Sequence, residues 1–431
     1  MKITLRQTAT PNTVLQSFQY GYNKVGNRTW VKYASGSGDV YKYDVTYQLT
    51  GVKYGVGNPE DGYDLATGES RAVTYTYDAL GSRTVVLDNL TTTNYSVNNL
   101  NQYTQIDLNS YTYDTNGNLT GDGTWTFGYD RDGHLITASK SGTSVSYKYD
   151  ALGRRIEKSV NGTVTKFVYS GQNLIEERDA SNNVTAKYVY AVGIDNPVEV
   201  IKSTGAYFFQ QDALDNVTAL TNSSGAIVES YTYDAFGKPV IKDGSGNVIT
   251  TPATPFLFTG REYDAESGLY HYRTRAYSQN LGRFLQMDSI GFKGKDWNLY
   301  RYAANNPTNR VDPLGLENKC TDCDGKPKQG TMVAMSCCSS AAPEHNDGGN
   351  PYPPDYTYGG INASKMFSNT ASNDWSNTAR GCLSCMYKHG SDPTIAHIYC
   401  YANASARRPL DSASGMGDAF GTAAAIKLGA Y

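Results

Sequence analysis

Short segments that alternate between apolar and polar residues fill the first three quarters of the chain, and turn signals separate them. In a representative copy, Tyr147 and Tyr149 stand two positions apart, which places both rings on one face of a strand. Asp150 and Gly153 follow, and this Asp-x-x-Gly spacing predicts a turn in which the carboxylate accepts backbone N–H groups and glycine supplies a positive φ. The next alternating run predicts the return strand, and the Asn-Gly pair at 161–162 predicts another hairpin turn.

This hairpin unit repeats along the chain. Tyr129, Tyr149, Tyr169 and Tyr190 follow one another at steps of about 20 residues. Similar units begin at Tyr20, Tyr75, Tyr111, Phe127, Tyr147 and Tyr231. Because a single hairpin cannot bury its own face, stacked neighbours are expected to form a continuous twisted sheet. A generic tyrosine-rich antiparallel protein is the alternative, and the recurrence of three residue types at fixed offsets favours the repeat.

Composition supports a globular β-protein and argues against two classes of partner. The chain holds 36 Tyr, 12 Phe and 43 Gly in 431 residues, a balance that suits half-packed strands joined by turns. A net charge of -3 offers no basic field for phosphates, so no nucleic-acid partner is indicated. No apolar run reaches the roughly 18 residues of a membrane span. Residues 1–30 lack the apolar region of a classical signal peptide.

The block from residue 258 to residue 316 carries a different set of motifs. It reads Phe-Thr-Gly-Arg-Glu-Tyr-Asp from 258, Gly-Leu-Tyr-His-Tyr-Arg from 268, Gly-Arg-Phe from 282, Asn-Asn-Pro from 305 and Asp-Pro-Leu-Gly-Leu from 312. The repeats resemble the YD repeats of Rhs proteins, Tc-toxin C subunits and teneurins. The later block resembles the Rhs repeat-associated core, and the whole resemblance covers about residues 10–316.

The resemblance implies a mainly β fold with three parts. Residues 1–257 are expected to form a cocoon-like YD-repeat β-shell with a wet, tyrosine-rich inner face, and residues 258–316 the core with a self-cleavage motif. Residues 317–431 then form a small, partly helical, variable toxin-like domain. The hairpins are few for a closed cage, so a secretion-apparatus or Tc-type partner subunit, or a longer chain, is expected to complete the shell. No cofactor is expected for the shell.

Two aspartates of the core are the candidate catalytic residues. In the family that it resembles, paired aspartates cut the chain after the leucine of the Asp-Pro-x-Gly-Leu block. Here this implies Asp288 and Asp312 as the pair and the bond between Leu316 and Glu317 as the cleavage site. Such an intramolecular aspartyl protease needs one ionised carboxylate to activate water and one protonated carboxyl to protonate the scissile carbonyl.

The sequence leaves several details of this motif open. Asp296 is an alternative partner in the pair. Ser289 stands where proline is common, so a looser turn is expected there. Arg283 and Arg301 are candidates to orient a carboxylate, or else are wall residues. The alternative to cleavage is that Asp312-Pro313 merely ends the shell in a tight turn.

All seven cysteines follow residue 319, which marks the tail as a segment of different character. Two Cys-x-x-Cys pairs, Cys320 with Cys323 and Cys382 with Cys385, have the spacing of a four-thiolate zinc site. Disulfides formed after delivery and free thiols are the alternatives. His397 and Cys400 would share a helix face, either as a nucleophile–base pair or as plain packing. The sequence assigns no reaction to the tail.

These observations predict a polymorphic toxin or effector of the Rhs type, secreted without a classical signal peptide and used in interbacterial competition or as an insecticidal-type toxin. Its shell would hold the tail until self-cleavage after Leu316. A cognate immunity protein is the expected partner of such a toxin. The alternative is a non-enzymatic YD-repeat scaffold for surface binding or adhesion.

Overall fold

The computed structural model describes residues 2–6, 14–294, 296–316, 319–320, 357–358 and 361–362. The chain divides into two units, Met1–Asn318 and Lys319–Tyr431. In the second unit, a short antiparallel pair joins two strands, Thr357–Tyr358 and Ile361–Asn362. The mainly β fold class expected from the sequence is confirmed for the first unit, whose strands are all antiparallel and follow one another in chain order.

Two long sheets form the wall of the first unit. The first sheet has ten strands: β1 Lys2–Arg6, β2 Val14–Tyr22, β3 Arg28–Tyr33, β4 Gly38–Tyr43, β5 Leu49–Val56, β6 Arg71–Tyr77, β7 Arg83–Asp88, β8 Thr91–Val97, β9 Tyr103–Ile106 and β10 Asn109–Ser110. The second sheet has fifteen strands: β11 Thr112–Tyr113, β12 Leu119–Gly121, β13 Thr126–Tyr129, β14 Leu135–Lys140, β15 Thr143–Tyr149, β16 Arg155–Val160, β17 Thr163–Ser170, β18 Asn173–Asp179, β19 Val184–Tyr190, β20 Pro197–Lys202, β21 Gly205–Gln211, β22 Val217–Asn222, β23 Ile227–Tyr233, β24 Pro239–Asp243 and β25 Val248–Ile249.

The core block folds as short elements after the wall. A third sheet contains β26 Glu262–Asp264, β27 Leu269–Tyr272, β28 Arg275–Ser278 and β29 Arg283–Phe284. Two further short strands are β30 Arg310–Val311 and β31 Lys319–Cys320, and β32 and β33 are the pair in the second unit. The 3₁₀ turns span Pro59–Asp61, Phe258–Gly260, Gly291–Gly294 and Ala303–Asn305.

The predicted turn chemistry is confirmed at Asp150. Its Oδ1 accepts the N–H groups of Leu152 and Arg154 at 2.9 and 3.0 Å, and Gly153 has φ +74°. The same two contacts, to the second and fourth following residues, recur at Asn23, Asp44, Asp78, Asn98, Asp114, Asp130, Asp212, Asn222, Asp234 and Asp243. The Asn-Gly pair at 161–162 also has positive φ at both residues, as its hairpin turn requires.

Tyrosine hydroxyls join successive hairpins. In six units, the tyrosine that precedes the turn, after Tyr-x or Phe-x, donates to the carbonyl of the residue that opens an earlier return strand. The pairs are Tyr43–Arg28, Tyr77–Leu49, Tyr129–Leu119, Tyr149–Leu135, Tyr169–Arg155 and Tyr233–Val217, at 2.5 to 2.9 Å. Phenylalanine could fill the same space but could not make this bond, which explains the excess of tyrosine over phenylalanine.

The wall closes around the core rather than lying open. The side-chain amide of Gln16 on β2 donates to the carbonyl of Thr218 on β22 at 3.1 Å, and Ala235 N–H donates to the Tyr54 hydroxyl at 2.9 Å. Strands from the start of the first sheet therefore meet the end of the second sheet. On another side, buried Arg155 of β16 binds Glu262 of the core at 2.8 Å.

Aromatic packing fills the space next to the core, which corrects the expected wet inner face. Tyr270, Tyr272, Tyr277 and Tyr302 are completely buried and belong to one cluster. The rings of Tyr277 and Tyr302 lie 4.4 Å apart. The repeats contribute buried rings as well: Tyr20, Tyr75, Tyr147 and Tyr231, each the first tyrosine of its unit, are buried, and Tyr231 belongs to this same cluster.

Candidate functional site

Three charged side chains of the core converge at the end of the chain's first unit. Arg275 opens the buried strand β28, Asp288 follows β29, and Asp312 follows β30. The turn at Asp288 is closed, since its carbonyl accepts Gly291 N–H at 2.9 Å and its Oδ1 accepts Ile290 N–H at 3.0 Å. The looser turn expected from serine at the next position is therefore wrong: these bonds do not need a proline.

Arg275 bridges the two predicted aspartates. Its Nη2 lies 3.2 Å from Asp288 Oδ2 and 3.2 Å from Asp312 Oδ2. The two carboxylate oxygens are therefore at most 6.4 Å apart, the sum of these contacts. Two carboxylates this close repel one another when both are ionised, which favours a proton on one of them, while the guanidinium stabilises the ionised member.

The site is shielded from water. The side chains of Arg275 and Asp312 are 4% and 1% exposed, and that of Asp288 is 10% exposed. Burial lowers the pKa of Arg275 from its usual value, and the charges of Asp312 and Asp288 oppose this effect. The guanidinium carbon also lies 3.7 Å from the centre of the Phe284 ring. A buried cation in contact with a buried carboxylate interacts strongly with it, and removal of either partner leaves a buried charge unpaired.

The segment before the predicted cleavage site is fastened to the same groups. Leu316 N–H donates to Asp312 Oδ1 at 3.1 Å, and Arg275 Nε donates to the carbonyl of Gly315 at 2.5 Å. A Cβ placed on Gly294 would lie 3.5 Å from Asp288 Oδ2 and equally 3.5 Å from the carbonyl oxygen of Leu316. Those two oxygens are thus at most 7.0 Å apart, the sum of the two distances. The carbonyl of Leu316 and the Asp288 carboxylate therefore both border Gly294.

Asp296 has a different environment from the other two aspartates. The Nε and Nη2 of Arg301 hold its two oxygens in a fork, at 2.8 and 2.9 Å. Arg283 is directed to the wall, where its Nη1 donates to the carbonyl of Asn101 at 2.6 Å and its guanidinium covers the Tyr103 ring. The structure thus brings together Asp288 and Asp312, and gives Arg283 and Arg301 other contacts.

Sequence reasoning missed Arg275, the cation at the centre of the site. Its position at the head of a short buried strand, two residues after the Gly-Leu-Tyr-His-Tyr-Arg motif, was the available signal. An arginine in a four-residue strand whose members are all buried needs acidic partners. The two aspartates are the only acidic groups that ion-pair with it among the residues the structure describes.

The remaining candidates lie outside the described residues: Glu317, Cys323, Cys382, Cys385, His397 and Cys400. Cys320 lies in strand β31, and its side chain is not described. Within the described parts of the chain, no group of three or more His, Cys, Asp or Glu side chains could hold a metal ion. The same parts contain no helix that is long and apolar enough to cross a membrane.

Comparison with known proteins finds curated relatives that match parts of this chain. The tRNA nuclease WapA of Bacillus subtilis is 36% identical over 259 residues, which are 57% of this chain and 11% of WapA. The double-stranded DNA deaminase toxin A of Burkholderia cenocepacia is 30% identical over 136 residues, 32% of this chain and 9% of the toxin. The chain thus spans about a tenth of the length of these curated relatives.

Solved structures show the same fold. The crystal structure of TcdB2-TccC3 superposes with a TM-score of 0.58 at 20% identity, covering 73% of this chain and 18% of that chain. The family model described as Teneurin YD-shell matches residues 12–308, more than two thirds of the sequence. The match includes strands β2 to β29, with Arg275 and Asp288, and ends before Asp312. The chain therefore belongs to the YD-shell family of Rhs/YD-repeat proteins.

Proposed function

We propose that this chain is the shell-and-core part of a polymorphic toxin of the Rhs type, and that it cuts itself between Leu316 and Glu317. The observation that carries the proposal is the convergence of Asp288, Asp312 and Arg275 on the segment that ends at Leu316. A tight turn that only ended the shell would need neither a second buried aspartate nor a shared arginine. Toxins among the relatives support the same assignment.

The proposed reaction is a hydrolysis by paired carboxylates. Water can reach the Asp288 side of the pair, where the side chain is 10% exposed against 1% for Asp312. Asp288 takes a proton from water as the water oxygen attacks the Leu316 carbonyl carbon, while Asp312, in its protonated form, donates to the carbonyl oxygen. The tetrahedral intermediate then breaks its C–N bond: Asp288 returns its proton to the leaving amine of Glu317, and one hydroxyl of the intermediate returns its proton to Asp312 as the C=O bond reforms. The carboxylic acid so formed at Leu316 loses its proton to solvent. The products are a carboxylate on Leu316 and a free amine on Glu317, and tethering supplies high effective molarity.

Substitution of the aspartates tests the proposal. Asp288→Asn and Asp312→Asn each keep the size of the side chain but remove the acid–base group, so each should leave the full chain uncut on a denaturing gel. Asp296→Asn is the matched control, because Arg301 binds that aspartate, and it should still be cut. If the Asp288→Asn chain is still cut and the Asp296→Asn chain stays intact, Asp296 is the partner of Asp312 and the proposed pair is wrong.

The tail after residue 316 is the proposed toxin, and the wall is its proposed container. The described wall closes on its own aromatic core, so a chamber for a further domain of 115 residues needs additional wall. We assign that wall to a longer shell or to a Tc-type or secretion partner subunit, in keeping with the Tc-toxin complexes that share the fold. The protein is proposed to be made in the bacterial cytoplasm, delivered without a classical signal peptide, and neutralised in the producer by an immunity protein.

A binding scaffold is the second candidate function. The family model is described as Teneurin YD-shell, and the salivary gland surface protein 1 of Aedes aegypti is 35% identical over 115 residues, which are 25% of this chain and 3% of that protein. Production of residues 317–431 alone separates the two functions. Arrest of bacterial growth, relieved by a small gene encoded next to the toxin, supports the effector. An uncut chain with a harmless tail in both cytosol and periplasm supports the scaffold.

A further inference from the structure

The hairpin that connects β27 to β28 has an unusual two-residue loop, Arg273 and Thr274. Two-residue hairpin loops favour Asn-Gly or Asp-Gly, because the loop residues adopt positive φ. Here Arg273 has φ +58°, a left-handed conformation that bulky residues seldom adopt. Strained backbone of this kind persists only where surrounding contacts hold it, and it is concentrated at functional sites.

The side chains of this loop hydrogen-bond to residues 313–315, which directly precede Leu316 and the predicted cleavage site. Arg273 pairs with the buried Asp195 of the wall, at 2.7 Å from its Nη2, and its Nη1 donates to the carbonyl of Pro313. Thr274 Oγ1 lies 2.9 Å from the carbonyl oxygens of both Leu314 and Gly315. With Arg275 Nε on Gly315, three consecutive loop and strand residues fasten three consecutive carbonyls.

These contacts fix the peptide plane next to the scissile one. The Gly315–Leu316 peptide is held on its carbonyl side by Thr274 and Arg275 and on its N–H side by Asp312 Oδ1. Because peptide groups are planar, only φ and ψ of Leu316 remain to place the next carbonyl against the carboxylates. Positioning of this kind can account for a large share of an intramolecular rate.

We infer that Thr274 is a positioning residue for self-cleavage: its hydroxyl holds the Gly315 carbonyl so that the Leu316 carbonyl is presented to Asp288 and Asp312. Thr274 touches no reacting atom and does not titrate. Its loss should therefore slow the reaction without changing which pH values support it. This inference rests on the proposed self-cleavage, and it adds the residues that orient the substrate segment.

The test follows cleavage of the full chain after cell-free synthesis, with samples quenched over time across a range of pH. Thr274→Val removes the hydroxyl at nearly equal size and should slow cleavage about tenfold or more, with the pH profile unchanged in shape. Thr274→Ser keeps the hydroxyl and should restore most of the rate. Thr84→Val is the matched control, since that hydroxyl binds a wall carbonyl, Thr76, at 3.2 Å.

The outcomes separate the inference from the proposed function. Cleavage of Thr274→Val at the parental rate would overturn the positioning role, and so would a Thr274→Ser chain as slow as Thr274→Val. Equal slowing by Thr84→Val would show a general loss of stability and would also overturn it. A parental chain that never cleaves would instead refute the proposed self-cleavage itself.

Discussion

The hydroxyls of Tyr147 and Tyr149 offer a test of what stabilises the repeat. The two tyrosines belong to the same Tyr-x-Tyr unit at the end of β15. The Tyr149 hydroxyl donates to the carbonyl of Leu135 at 2.8 Å, whereas the Tyr147 hydroxyl is buried with no hydrogen-bond partner among the described residues. Replacement by phenylalanine removes one oxygen from each and keeps both rings packed.

The two substitutions are expected to change the free energy of unfolding differently. A net intramolecular hydrogen bond contributes about 0.5–1.5 kcal/mol, so Tyr149→Phe should lower the free energy of unfolding by about 1 kcal/mol. Its ring contact with His134, at 4.7 Å between centroids, is retained by phenylalanine. An unpartnered buried hydroxyl costs free energy, so Tyr147→Phe should be neutral or stabilising by up to about 1 kcal/mol.

Urea unfolding of both variants measures this difference. The variants are compared in the Asp312→Asn background, so that all chains remain uncut. Midpoints should fall for Tyr149→Phe and hold or rise for Tyr147→Phe, with equal slopes. If Tyr147→Phe lowers the midpoint as much as Tyr149→Phe, the hydroxyl-to-carbonyl bond is not what selects tyrosine at the second position.

Three further predictions concern the site and the tail. Gly315→Ala should abolish cleavage on a denaturing gel, because Gly315 has φ +67° and an added Cβ would lie 2.4 Å from the Tyr272 carbonyl oxygen; normal cleavage would show that this segment can shift. Arg275→Lys should slow cleavage about tenfold or more, because an ammonium cannot match the fork that contacts both aspartates and a carbonyl, and an unchanged rate would remove the arginine from the mechanism. Residues 317–431 should arrest growth when produced in the targeted compartment; arrest that survives His397→Ala and Cys400→Ser assigns that pair to packing.

The repeat could be predicted from the sequence because its turns depend on the types of residues that are close together in the chain. Some copies of the turn do not match the Asp-x-x-Gly pattern because a residue other than glycine occupies its last position. In the turn that begins at Asn98, Asn101 takes the glycine position with φ +60°, and in the turn at Asp212 the same position is Asp215 with φ +59°. Asparagine and aspartate tolerate the left-handed region better than other residues, so a search for Asp and Gly alone misses them.

The aspartate pair was predictable only through family resemblance, and its arginine was not predicted at all. Asp288 and Asp312 are separated by 24 positions, and Arg275 stands 13 positions before the first of them. Contacts over such separations depend on how β28, β29 and β30 pack, which no local pattern encodes. The contact between the two wall sheets through Gln16 and Thr218 spans 202 positions and could not be predicted from the sequence either.

The intact mass of the freshly made full chain tests self-cleavage most directly. The account predicts two species, one ending at Leu316 and one beginning at Glu317, whose masses sum to that of the full chain plus one water, as hydrolysis requires. The Asp312→Asn chain made alongside should give one full-length mass. A single full-length mass for the parental chain, stable for days at neutral pH, would contradict the account.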